Sequence, residues 1–251
     1  MGEMTALVLV ITLATVALMI FFVRRVRAGQ GYGLRRLSVP QRLRQQVGWA
    51  VESGGQLHLT LGRAGLQGSN SPTSVAALQM LDFLAHDSCR NGVPPVVTVG
   101  DGTLFVVAQD SLWHAYEDSG QDLVGGFDST QFVAPAGYPM TYAAGVSAVL
   151  GRENVSNSVA LGRFGAEIGL LAEAANRAEI GQILGTDDPT AMAVAVANTE
   201  QVLLGEELFA AAAYLEGNAA QLASLRAQDV MRWLVVAAIG IFTLLQVAGL
   251  F

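Results

Sequence analysis

Pro95-Val96-Val97-Thr98-Val99-Gly100-Asp101-Gly102-Thr103 holds the pattern that sets the fold. The β-branched run reads as a short strand, the Gly-Asp-Gly stretch as a turn, and residues 103–117 behind it as a helix. The same unit recurs on both sides. Residues 57–61 precede a helix over 74–86, whose Val75, Leu78, Leu81 and Leu84, with Phe83, form one face. Downstream, 130–134 precedes 142–150, 158–162 precedes 166–177, and 181–185 precedes 189–198. Parallel strands need crossover connections, and right-handed crossovers lay helices on the faces of the sheet. Five such units predict an α/β, Rossmann-like three-layer domain over residues 56–216, with a mainly parallel sheet of about five strands. After Asn198 the pattern changes to an Ala-rich helix over 203–215 and a break at Gly217-Asn218.

In open parallel sheets ligands bind beyond the carboxyl ends of the strands, near helix N-termini. Those positions carry Gly62-Arg63-Ala64-Gly65-Leu66-Gln67-Gly68-Ser69-Asn70, Gly100-Asp101-Gly102-Thr103, Pro135-Ala136-Gly137, Gly162-Arg163-Phe164-Gly165 and Gly185-Thr186-Asp187-Asp188-Pro189. None is a dinucleotide fingerprint, and a chain without lysine cannot carry a GxxxxGK[ST] loop. The candidate ligand-binding residues are Gly100, Asp101, Gly102, Thr103, Arg163, Thr186, Asp187 and Asp188. The three aspartates suit a divalent cation, a ribose or a cationic ligand; they suit helix capping better, with Asp101 just before Thr103 and the Asp187-Asp188 pair just before Pro189. Arg163 is the anion-contact candidate, or else an ion-pair partner of a nearby carboxylate. His58, His86 and His114 have no metal-ligand spacing, His86 and Cys89 read as structural, and no G-x-S-x-G elbow is present. No catalytic constellation emerges, and no motif names a cofactor.

The two ends are of another kind. Residues 4–23 run without a charge, Gly or Pro, long enough at 1.5 Å per residue to span about 30 Å of hydrocarbon. Arg24, Arg25, Arg27, Arg35, Arg36, Arg42 and Arg44 follow, half of the 14 basic residues. An acidic Glu3 before the run and arginines after it fit a retained anchor rather than a removed signal peptide. By the positive-inside rule the chain is cytoplasmic from Arg24 onward. Residues 24–55 form a basic linker, jointed at Gly29, Gly31 and Gly33, and an amphipathic helix started by Ser38 and Pro40. Trp49 suits either the headgroup level or packing on the domain. At the other end a connecting helix over 217–232, with Arg226 and Arg232, leads into 233–251, uncharged with one amide at Gln246. That run is long enough to span, with Trp233 at the interface. Two spans, both termini outside and the domain in the cytoplasm of a bacterium are expected, with Arg24, Arg25, Arg27, Arg35, Arg36, Trp49, Arg232 and Trp233 at the lipid interface.

Between Gly48 and Leu225 five arginines face 19 acidic residues, a net charge of −14. A domain so acidic repels nucleic acid, which excludes that class of partner. The single Cys89 excludes an intramolecular disulfide.

Val97-Thr98-Val99-Gly100-Asp101-Gly102-Thr103, Gly185-Thr186-Asp187-Asp188-Pro189 and Gly205-Glu206-Glu207-Leu208-Phe209-Ala210-Ala211 resemble an uncharacterised bacterial membrane-protein family. The resemblance runs from about Leu57 to the C-terminus. It implies one anchor at each end of a cytoplasmic α/β domain and, since no activity is assigned to that family, carries no catalytic residue across. The leading expectation is a non-enzymatic, membrane-anchored scaffold that assembles with copies of itself. A ligand-binding or enzymatic domain using the strand rim is the alternative, and an accessory subunit of a larger membrane complex is a third.

Overall fold

The computed structural model describes residues 2–28, 39–68, 71–122, 128–152, 154–217 and 219–247. Arg35, Arg36, the Gly29, Gly31 and Gly33 joint, the Ser38 cap, Ser69, Asn70 and the last residues of the C-terminal run, 248–251, lie outside them. The chain divides into two compact units, one made of Met1–Arg35 with Gly217–Phe251, the other of Arg36–Glu216.

The first unit is a pair of long helices, α1 (Gly2–Arg27) and, at the other end of the chain, a helix over Ala219–Val247. Phe22 is buried against Ala223 and Ala227, whose small side chains leave room for its ring, and Leu18, Met19, Val23, Val26 and Val230 surround them. The C-terminal half of one helix therefore packs on the N-terminal half of the other. Arg24, Arg25 and Arg27 close the last turn of α1. Among the described residues one helical segment, Ala220–Gln246, is long and apolar enough to cross a membrane by length and composition.

The second unit is an all-parallel α/β domain. Its elements in chain order are α2 (Val39–Ser53), β1 (Gln56–Gly62), α3 (Ser71–Arg90), β2 (Val96–Val99), α4 (Gly102–Ser119), β3 (Thr130–Phe132), α5 (Pro139–Leu150), β4 (Val155–Arg163), α6 (Ile168–Arg177), β5 (Gly181–Thr186), α7 (Pro189–Asn198), β6 (Val202–Leu204) and α8 (Glu206–Glu216). The Ala219–Val247 helix is α9. The sheet has six strands rather than five, in the order β3-β2-β1-β4-β5-β6. The extra strand is Val202–Leu204, which the sequence reads as the start of the following helix; Gly205, at φ 52°, separates the two.

Successive residues of β1 point to opposite faces, and the two faces differ in kind. Leu57, Leu59 and Leu61 join Val97, Val99, Val159, Leu161, Ile183 and Leu203 in an apolar core under α2, α3, α4 and α8. Fully burying one such side chain stabilises by about 1.5–3 kcal/mol, so this layer holds the domain together. On the other face α5, α6 and α7 cover a second core, with Ala160, Leu184 and Phe164 among its members. At its centre that face is polar. His58 Nδ1 lies 3.0 Å from Ser158 Oγ and Nε2 3.0 Å from Thr98 Oγ1, joining three neighbouring strands. Thr60 Oγ1 and Tyr142 Oη share a hydrogen bond in the same layer. All are buried, and their pairing avoids the penalty of a desolvated polar group.

Local chemistry explains the element ends. The Asp101 carboxylate accepts from Thr103 N and Leu104 N to start α4, and Gly120, in the left-handed region at φ 67°, ends it. Asp188 and Pro189 start α7 in the same way. One reading of a helix face shifts. Val75 is exposed, and the inner face of α3 is instead Ala77, Met80, Leu81, Leu84 and Ala85. In α2 the buried side is Leu43, Gln46, Val47 and Ala50, packed on the sheet, while Trp49 and Val51 are exposed. Arg44 also belongs to the domain: it donates to Leu215 O and stacks over the Phe83 ring.

The candidate functional site at the strand carboxyl rim

The strand order reverses between β1 and β4, so the crevice of this fold opens beyond Gly62 and Arg163, which are register partners. The two strands approach closely there, with a register shift between Thr60 and Gly62. Gly62 sits at φ 75° and Gly162 at φ 141°. A Cβ on Gly62 would press on Arg163 O, and one on Gly162 on Leu61 O. Arg63 N donates to Arg163 O at 3.3 Å and Gly100 N to Gly62 O at 3.0 Å, tying three strand ends together.

Two arginines bridge the rim. Arg63, just after β1, donates through Nε to Glu167 Oε1 at 2.7 Å and through Nη1 to Ala136 O, so its guanidinium crosses from the β1 loop to the loops after β4 and β3. Glu167 is 3% exposed and accepts also from Gly165 N at 2.8 Å. Arg163, the last residue of β4, pairs with Asp187 Oδ2 at 3.2 Å and Asp188 Oδ2 at 3.5 Å. Thr73 Oγ1, at the start of α3, donates to the same Asp187 oxygen at 2.6 Å. Asp188 meanwhile keeps Oδ1 on the N–H groups of Thr190 and Ala191. Thr186 is buried and its Oγ1 accepts from Asp188 N.

Asp101, Thr103 and the β1 loop form a separate cluster. Thr103 Oγ1 donates to Asp101 Oδ1 and accepts from Leu66 N at 3.3 Å, and Gly65 lies against the Asp101 carboxylate with no room for a Cβ. Gly100 is packed on the Tyr142 ring, while Gly102 faces open space. Asp101 follows β2 and Asp187 follows β5, with β1 and β4 between them, a separation of roughly 14 Å at the usual strand spacing. The candidate residues are thus brought together as Arg163 with Asp187 and Asp188, and as Asp101 with Thr103; the two sets cannot grip one cation. Among the described residues no group of three or more His, Cys, Asp or Glu side chains is placed to hold a metal.

Arg63, Glu167 and Thr73 are the rim residues that sequence reasoning did not single out. The signal available was weak: a charged residue directly after a strand, and a carboxylate before a helix. The Arg63–Glu167 bond has a measurable consequence. Glu167→Ala leaves a mostly buried guanidinium without its carboxylate, and is expected to lower stability by about 2 kcal/mol, below the full scale for a buried pair because Arg63 retains some solvent. A double-mutant cycle with Arg63→Ala, read by urea denaturation, measures it; additive effects would show that the pair contributes nothing.

Elsewhere in the domain, burial quiets the titratable groups. The His58 imidazole is held down to about 3 by burial, with Arg152 adding to the effect. Burial pushes the Tyr142 phenol up to about 12 and the Cys89 thiol up to about 11. A thiol so held is not a thiolate nucleophile at neutral pH. His86 turns away from Cys89, toward Asp82 and Asp118.

Residues 2–251 match the family described as Domain of unknown function (DUF6754), and the chain belongs to that family. No curated protein and no solved structure matches it.

Proposed function

We propose that this member of the DUF6754 family is a membrane-anchored module that holds its acidic α/β domain at the cytoplasmic face and works there as a homo-oligomeric scaffold, without catalysis of its own. The observation that carries the reading is the pairing of α1 with α9. Their packed halves carry the basic residues, Arg24, Arg25 and Arg27 on one helix and Arg226 on the other. Their remaining halves are apolar and exposed, with Val8, Leu9, Ile11, Leu13 and Val16 on α1 and Trp233, Leu234, Val235, Val236, Ile239 and Leu244 on α9. A helix apolar on its outward side needs lipid or protein around it. The hydroxyls in these stretches suit lipid too: Thr12 donates to Val8 O, Thr15 to Ile11 O and Thr243 to Ile239 O, each 2.8 Å away, so none needs water. Arginines at one end of both helices support a reading with that end in the cytoplasm and both termini outside. Lipid headgroups are the partner of the basic segment and Trp233.

The scaffold part rests on the rim. Arg63 and Arg163, the basic residues at the switch point, are each engaged by carboxylates of the domain itself, so an anionic ligand would have to displace them. Thr243→Arg with Leu244→Arg is expected to move the protein from the membrane fraction to the soluble or degraded pool, each arginine at mid-span opposing insertion by about 2.5–3.5 kcal/mol. A cysteine at Gly2 should react with an impermeant maleimide in intact cells and one at His114 only after lysis. The opposite pattern would reverse the topology. Monomers in mass photometry of the detergent-solubilised chain would sink the oligomer.

A second reading has one atom in its favour. Asp187 Oδ1 is buried with no hydrogen-bond partner among the described residues, as it would be beside a missing ligand group. A nucleotide or a metal-bound small molecule there should raise the melting temperature in the presence of Mg²⁺, and Asp187→Ala should abolish the shift. Stoichiometric co-purification of other membrane subunits would favour an accessory role instead.

A further inference from the structure

The two helical layers of the domain carry charge unequally. On one side α3 and α4 present Asp82, Asp87, Asp110, Glu117 and Asp118 against the single Arg90. On the other side α5 and α7 contain no charged residue, and α6 presents only Glu173 and Arg177, hydrogen-bonded to each other at 2.8 Å. This neutral layer also exposes Met140, Leu170 and Val196. Between α5 and α6 runs a groove of about 510 Å³, floored by small residues.

We propose that this groove seats the same groove of a second copy of the chain, related by a two-fold axis lying in the face and across the helices. The inference rests on the oligomeric reading above and names its contact surface. Two arguments support a copy of the chain as occupant. The first is electrostatic. Two domains of this acidity repel through α3 and α4, and the neutral layer is where they can close. The second is self-complementarity. Both helices cross between parallel strands, so they run the same way. Along α5 and its C-cap the groove descends from Met140 through Ala144 and Ser147 to Gly151, and along α6 and its C-cap it runs from Leu170 through Ala174 to Ala178, with Glu173 and Arg177 beside them. A two-fold axis reverses the second copy end for end. Met140 then faces Gly151 of the other copy, Leu170 faces Ala178, and Ala144 faces Ser147. Glu173 comes within a turn of the other copy's Arg177, so the one ionic pair in the groove is matched by its own duplicate. Anchoring in one membrane adds a high effective concentration, so a face of modest area suffices.

The test uses the full chain in native membranes and in detergent. Cys89, the only native cysteine, is buried. Single cysteines at Ala144 and Ala174 are expected to give a covalent dimer with a short bifunctional maleimide, and one at Val106, exposed on α4, to give none. Ala144→Glu, at an exposed position, is expected to weaken self-association about 30-fold, the scale of one central interface residue, with an unchanged far-UV circular dichroism spectrum. Met140→Arg provides a second variant should Ala144→Glu perturb folding. Self-association with links at Val106 and not in the groove would overturn the inference while leaving the oligomer standing. A wild-type chain that stays monomeric at every concentration would remove both. Links from Ala144 only to a different polypeptide would also overturn it.

Discussion

Lowering the pH from 7 to 4 is expected to remove roughly 3 kcal/mol of stability from the α/β domain through His58 alone, at about 1.4 kcal/mol per pH unit below the free-imidazole value. The ring lies at the centre of the sheet, fully buried, between Ser158 and Thr98. As a neutral imidazole it donates to one hydroxyl and accepts from the other, and both hydroxyls can rotate to suit. As an imidazolium it would carry a charge where no carboxylate among the described residues pairs with it. Burial first and Arg152 second hold its folded value near 3, against 6.5 for the free group. Between those values the unfolded chain binds a proton that the native domain refuses. The contribution is therefore complete above pH 6.5, declines through the window, and reaches its floor near pH 3. Carboxylates titrate in the lower part of the same range, so the diagnostic quantity is a difference. Urea midpoints of wild type and His58→Asn should converge as the pH falls from 7 to 4. Parallel curves would mean that the ring gains water or a partner on protonation.

Gly162→Ala is expected to destabilise the domain by about 4 kcal/mol, combining the strain of an unfavourable φ with displacement of packed backbone. Gly162 lies inside β4, at φ 141°, with the Leu61 carbonyl occupying the place of a Cβ. Neither strand can retreat, since β1 and β4 form the middle of the sheet and carry core residues on both sides. For a domain whose whole stability is on the order of 5–15 kcal/mol, such a loss shifts the melting temperature by many degrees. Gly102→Ala is the matched control. It has ordinary φ, nothing within 4 Å of the added methyl, and a place in the first turn of α4. It should be neutral or slightly stabilising, by up to about 1 kcal/mol. Equal effects at the two positions would refute the packing account.

The repeating strand–turn–helix chemistry made most of the fold legible, because each unit announces itself within 20–40 residues: 96–99 before 102–119, 181–186 before 189–198. Helix caps were legible for the same reason, since Asp101 and Asp188 act on N–H groups two and three residues away. β6 was hidden because Val202-Leu203-Leu204 also fits the helical pattern that follows; only Gly205 marks the boundary. The amino end of β4 was hidden because Ser156 and Asn157 interrupt an apolar run, and they are polar because their partners are Gln56 and Gln46 on other elements. The rim was the least legible part. Arg63 and Glu167 are 104 residues apart and meet only because β1 and β4 are neighbours, a fact of strand order that no local pattern contains. The same order separates Asp101 from Asp187, although each looks alike in sequence.

The polar trio on β2, β1 and β4 bears on the order in which the domain assembles. β1, β2 and β3 are complete by Phe132, whereas Ser158 follows His58 by 100 residues. From Phe132 to Ser158 synthesis takes about 1–5 s at ordinary rates, an interval in which the first half of the sheet can form with one side of β1 still bare. His58 then has its Thr98 partner and lacks its Ser158 partner, and the bare edge can recruit a foreign strand. When β4 arrives, the native alignment gives the imidazole both hydroxyls. A slip of one residue would turn Ser158 to the leucine side, and a slip of two that brings Ala160 opposite His58 would leave the ring without its second hydroxyl. The trio therefore acts as a proofreading mark for the most distant pairing in the sheet. Its penalty for a wrong alignment is felt at the step where nascent parallel sheets are slowest and most exposed to aggregation.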